Sequence, residues 1–322
     1  MTATVRLSVP ESGSALIDAT GTAAEVAGEL GLAHAVPPGT LPFALHDVLL
    51  RRPDATSVAD AITEPFTVAG REFHWLLPAT ASRLWDEVGL TGHRLVLPGD
   101  DQRATIVAAL EFLASRPWAF DLVAKYVTTL AFVESDSDAD LITSCSLPDF
   151  PLCIFFSARA ARHVPPVTVT DFPSARLMAE NIYHESVHQS VNHLLLTRKV
   201  FKPGYSSTTS PKVPIYWRQT ASRTRNRAWE LDRVLHAAAV YSQLLQWRTA
   251  ELRADDISER EGEAVRQASK DAVGAVRSLA AALTEHCEHF TSSGALFVGR
   301  LVESATLRAE LLEHLLRRAA LD

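Results

Sequence analysis

The chain has 322 residues, 47% of them hydrophobic, and a formal net charge of −7. It can therefore bury a sizeable core as one large domain or two modest ones, while the acidic balance and the lack of a basic run punctuated by aromatics exclude the electrostatic footprint of a nucleic-acid binder. No 18-residue apolar run and no signal-peptide pattern occur, and Cys145, Cys153 and Cys287 are too scattered for a disulfide framework, so a cytoplasmic protein without a membrane partner is expected.

In chain order, residues 1–95 read as a mixed helical region, with helical patterns over 22–32, 42–51 and 79–88 and punctuation at Pro37-Pro38-Gly39. Residues 96–322 read as a second domain. It opens with a helical pattern over 100–126, followed by strand-like runs at 127–133, 141–145, 151–157 and 167–169. A helix is predicted over 172–196, capped by Asp171 and with Pro173 in its first turn; Leu177, Met178, Ile182, Val187, Val191 and Leu195 supply its apolar positions. Residues 201–224 are rich in Pro, Ser, Thr and Gly and read as a long irregular connection. Helical patterns over 226–253, 257–289 and 295–320 complete an all-helical C-terminal layer.

The helix over 172–196 carries His184-Glu185-Ser186-Val187-His188, an H-E-x-x-H. Imidazoles four apart share a helix face and can grip one divalent metal, while the intervening glutamate can orient a water or a ligand. A small sheet feeding directly into such a helix is the order of zincin-like sites, whose sheet edge can pair with an extended peptide. The expected fold is thus α+β and predominantly helical, with a zincin-like core and a polypeptide substrate.

A third ligand must come from elsewhere. The metzincin extension requires Gly and His where this chain has Val191 and Leu194, and His193, nine residues after His184, falls on the opposite face. The segment 227–236 offers Glu230, Asp232 and His236, of which the last two share a face. Glu230 as ligand describes a zinc metallopeptidase with Glu185 as general base; His236 or Asp232 describes a facial site suited to iron. A non-enzymatic peptide-binding protein is the remaining alternative. The run Glu285-His286-Cys287-Glu288-His289 is expected to fan around a long helix rather than form a second metal site.

The H-E-x-x-H helix continuing to Asn192, a loop with Tyr216-Trp217-Arg218, an arginine cluster, and a helix reading Val234-Leu235-His236-Ala237-Ala238-Ala239-Val240-Tyr241 together resemble the HExxH peptide-modifying family over about residues 140–250. Its members are described as 2-oxoglutarate-dependent peptide β-hydroxylases acting on ribosomally made precursor peptides. The resemblance implies Fe(II), 2-oxoglutarate and O2, with His184 and His188 as iron ligands, His236 as the third, Glu185 in a supporting or proton-handling role and Asn192 lining the site. A guanidinium suits the far carboxylate of the cosubstrate. The family's acidic-Pro-Arg run is replaced here by 219–225, which leaves the choice among Arg218, Arg225 and, in reserve, Arg223 open. Tyr216 and Trp217, with Tyr183, are the aromatic candidates for gripping the peptide and excluding water.

Overall fold

A computed structural model describes residues 17–51, 63–78, 90, 92–135, 137, 141–219 and 227–318. The expected helix over 79–88 lies outside them. The first described elements are α1 (Ala23–Glu29) and α2 (Leu41–Leu49), followed by the strands β1 (Thr63–Val68), β2 (Arg71–Leu76) and β3 (His93–Val96). Next come α3 (Asp100–Ala114) and α4 (Pro117–Tyr126), then β4 (Thr129–Ser135), β5 (Ser144–Leu147) and β6 (Phe150–Phe156). The 100–126 pattern is thus two helices. Pro117, which has no amide proton to give, starts the second in its first turn.

Six strands form one sheet, five in the order β1-β2-β4-β6-β5 and the sixth, β3, beside β4 off that path, so the sheet spans the division expected at 95/96. β4 pairs in parallel with β2 at one end of its edge (Thr129 opposite His74) and antiparallel with β3 at the other (Ser135 opposite His93). Its second edge carries β6 in parallel, and β5 closes that side antiparallel to β6. Both central strands are apolar on both faces and alternate with period two. Leu130, Phe132, Leu152, Ile154 and Phe156 enter the large core under the helices; Ala131, Val133, Cys153 and Phe155 enter a smaller one with Phe43 of α2.

After the short strands β7 (His163–Val164) and β8 (Thr168–Val169), α5 (Ala175–Thr197) lies over the sheet. Its cap is Ser174, whose hydroxyl accepts from the amides of Arg176 and Leu177, and not Asp171, which is exposed and pairs with Arg260 at 2.7 Å. Pro173 therefore precedes the helix. The connection 201–224 is partly ordered by a two-residue strand, β9 (Val213–Pro214), paired with β10 (Ala228–Trp229). The helices α6 (Leu231–Glu251), α7 (Glu259–Glu285) and α8 (Ser292–Arg318) pack on one another as the C-terminal layer. The described residues are mixed α and β and mainly helical, and none of their helices is long and apolar enough to cross a membrane.

α5 and α6 run antiparallel and are tied by a ladder of buried polar pairs. Arg176 bonds Glu251 at 2.8 Å, Arg248 reaches Glu180 through Nε at 3.1 Å, and the Tyr183 hydroxyl donates to Gln243 at 3.0 Å. One further step along this ladder brings His188 opposite His236. Buried charges survive only with partners, and those of Arg248 include the carbonyl oxygens of Ala268 and Pro165. The ladder fixes both axial register and rotation of the two helices that carry the imidazoles.

Candidate functional site

At the open end of the ladder His184 and His188 turn their Nε2 atoms toward each other at 3.1 Å, and His188 Nδ1 lies 3.5 Å from Nδ1 of His236. The His188 and His236 rings stack at 5.7 Å between centroids. Burial disfavours the imidazolium in all three: His184 is held down to about 3, His236 to about 4, and His188 well below its ordinary range; neighbouring imidazoles and guanidinium groups push the same way at His184 and His188, while Asp232 opposes burial at His236. Three neutral imidazoles with inward lone pairs are a donor set for a divalent transition metal.

The His184–His188 spacing already suits one ion, since two ligands of a tetrahedral centre with bonds of about 2.0–2.1 Å sit roughly 3.3 Å apart. His236 meets the opposite nitrogen of His188, so joining that ion requires its ring to reorient. Glu185 is buried beside them, its Oε1 3.9 Å from His184 Nε2. Burial pushes its carboxyl up to about 7, against hydrogen bonds from Ser144, at 2.7 Å, and Ser146. It is therefore a carboxyl able to hold or release a proton near neutrality.

These residues line a cavity of about 600 Å³ with Ser144, Cys145, Ser146 and Pro148 of the sheet edge, Asn192 of α5, Arg218, and Trp229, Asp232, Arg233, Ala237, Val240 and Tyr241 on or just before α6. Arg218 follows Trp217 in a short 3-10 turn (Tyr216–Arg218), and its Nε is buried without a hydrogen-bond partner. Arg233 also reaches the cavity and lies over the Trp229 ring at 4.5 Å.

Most sequence-predicted residues meet here: His184, Glu185, His188, Asn192, Arg218 and His236. Tyr216 and Trp217 do not. Tyr216 is exposed against Gly274 of α7, where any Cβ would collide with its hydroxyl, and Trp217 packs on Trp229 and Tyr241 behind the wall. Tyr183 is fully buried between Trp118 and Trp247 rather than at the cavity. Arg223 and Arg225 lie outside the described residues. His193 points away, as its position on the helix requires, and bonds Glu29 at 2.7 Å.

Of the alternative third ligands, Glu230 does not line the cavity and bonds Lys212 Nζ at 2.5 Å. Asp232 does line it, but its two oxygens accept from the hydroxyls of Tyr205, at 2.9 Å, and Ser207, at 2.7 Å. Ser144 and Ser146 were not anticipated. Their signal is period-two spacing in a short strand, which orients them together but says nothing about which helix they face.

The expectation for 285–289 is corrected. α7 stops at Glu285 and a 3-10 turn (Cys287–His289) follows, so the residues do not fan around one continuous helix. His286, Glu288 and His289 instead bring one donor atom each to within 4.8 Å of one another. The chain matches no protein-family model and no curated protein.

Proposed function

We propose that the protein is an Fe(II)- and 2-oxoglutarate-dependent dioxygenase that hydroxylates the Cβ of a side chain in a ribosomally made precursor peptide, acting in the cytoplasm without nucleic acid or membrane. The observation that carries this reading is one cavity lined both by three imidazoles and by a guanidinium with an unpartnered buried nitrogen. A guanidinium gives a bidentate, always-charged match to the far carboxylate of a dicarboxylate cosubstrate.

His184, His188 and His236 would hold the iron, which with 2-oxoglutarate and O2 supplies oxygen insertion into a C–H bond and releases succinate and CO2. Arg218 would bind the far carboxylate of 2-oxoglutarate, with Arg225 as the alternative, and Asn192 would help to seat it. Glu185, held by Ser144 and Ser146, would orient ligands and move a proton at its carboxyl oxygens. Val240, Tyr241 and Trp229 form an apolar wall that would exclude water from the reacting carbon. Trp217, packed behind that wall, would support it rather than grip the peptide directly, with the exposed Tyr216 edge-on to its ring. Among the described strands β5 ends the sheet, so its outer edge beside the cavity could take an extended peptide, the zincin-like feature of this reading.

Purified protein incubated with Fe(II), 2-oxoglutarate, O2 and a precursor peptide encoded near its gene is expected to give a peptide heavier by one oxygen atom and one succinate per modified peptide. Peptide cleavage without succinate would instead favour the zinc peptidase, for which Glu185 is equally well placed as a base.

A further inference from the structure

The corner between α7 and α8 holds a second set of metal donors, none of which lines the cavity. His286 Nδ1 lies 3.9 Å and His289 Nε2 3.4 Å from the same oxygen, Oε1 of Glu288. Three backbone features bring them together. The amide of His286 bonds Ala282 at 3.1 Å to close α7; the amide of His289 then bonds His286 at 3.2 Å; and that of Phe290 bonds Cys287 at 3.2 Å. His286 and His289, three residues apart across the helix end, lie on one side of the turn with their rings edge-on at 6.2 Å between centroids.

The turn is also held from outside. The Lys202 amide bonds the carbonyl of His289 at 2.9 Å, Phe201 forms a bridge to Phe290, and the Tyr205 ring packs edge-on to His289 at 6.3 Å. The donors therefore stand on a fixed backbone. With side chains 26% and 32% exposed, the two imidazoles are open to an ion from solvent yet partly screened from water.

We propose that His286, Glu288 and His289 form a binding site for a divalent transition metal of zinc type, a surface pin that fixes the α7–α8 corner. Two imidazoles and a carboxylate are a borderline-hard set that prefers zinc, nickel or copper to magnesium or calcium. The 3.4 and 3.9 Å separations from Glu288 lie within about 0.6 Å of the roughly 3.3 Å ligand spacing of a tetrahedral ion, all three donors fall within 4.8 Å of one another, and a fourth position is left for water. Cys287, between the two histidines, is exposed and is not one of the three donors. The same corner carries Tyr205, whose hydroxyl donates to Asp232 in the cavity wall, so an ion here would also steady that wall.

The test is zinc(II) titration of chelator-stripped, untagged protein, read by calorimetry. Wild type is expected to take up two equivalents, the H286A/H289A variant one, and the H184A/H188A variant one. Retention of both equivalents by H286A/H289A, or uptake by wild type of no zinc that this variant loses, overturns the proposal. H286A/H289A changes surface residues and is expected to melt where stripped wild type does, which separates lost binding from lost folding. A single wild-type equivalent lost in H286A/H289A would uphold this site while counting against metal binding by His184 and His188.

Discussion

Glu185 is a carboxyl that burial pushes toward neutrality and that two serine hydroxyls pull back. Ser144→Ala removes the donor 2.7 Å from Oε1 and leaves the carboxyl with Ser146 alone of the two serine donors. Groups that orient a metal site through another residue typically contribute about 10- to 100-fold to affinity or activity. Succinate formation by Ser144→Ala is therefore expected to fall by about that factor with its thermal midpoint little changed; undiminished turnover would remove Ser144 from the site. His184 and His188 were legible because helical periodicity alone puts i and i+4 on one face, and Glu185 because the H-E-x-x-H pattern includes it. His236 was legible only as one of three candidates narrowed by resemblance, and the structure separates them by their partners: Lys212 occupies Glu230 while Tyr205 and Ser207 occupy Asp232. Ser144 and Ser146 could not be assigned, because their contact with Glu185 depends on which strand ends the sheet.

The elements most responsible for the site are α5 and α6, whose polar ladder sets where His188 and His236 meet. Partners descend from Glu251 through Arg248 and Gln243 to His236 as α5 ascends from Arg176 through Glu180 and Tyr183 to His188. Removing one member of a buried pair strands the other, at a cost of about 3–5 kcal/mol. Arg248→Ala is expected to lose that much in urea unfolding and to leave Glu180 buried without its cation; a loss below about 1 kcal/mol would show that the ladder does not hold the helices. At the other end of the layer, Gly294 in α8 lies so close to Val200 that a Cβ would collide with its carbonyl oxygen, and backbone cannot yield as a side chain does. Gly294→Ala is expected to cost about 1–3 kcal/mol, read from the same unfolding curves. Helix ends were the least legible part of these elements. Ser174 wins the cap over Asp171 because its hydroxyl also donates to Glu261 at 2.5 Å, a tertiary contact with the start of α7 that local pattern does not contain.

At the scale of the molecule, the α+β class and the helical C-terminal layer were readable from periodicity, whereas the extent of the sheet was not. β1 and β2 form a hairpin turned by Ala69 and Gly70, both at positive φ (48° and 76°). That turn usually announces itself as Asn-Gly or Asp-Gly, and Ala in the first place hides it. The sheet then crosses the boundary expected at 95/96, since β2 and β3 share one edge of β4. The result is a rigid platform with β5 at its rim, α5 above it and the cavity where they meet α6. In the proposed dioxygenase this cavity joins a three-histidine iron site to a carboxylate clamp at Arg218. Anaerobic titration of 2-oxoglutarate into Fe(II)-loaded protein, followed by the visible charge-transfer band, tests it most directly. One equivalent is expected to bind only when iron is present, with no band in His236→Ala and at least about tenfold weaker binding in Arg218→Ala. Failure of iron-loaded wild type to bind 2-oxoglutarate, or wild-type binding by His236→Ala, would contradict the account.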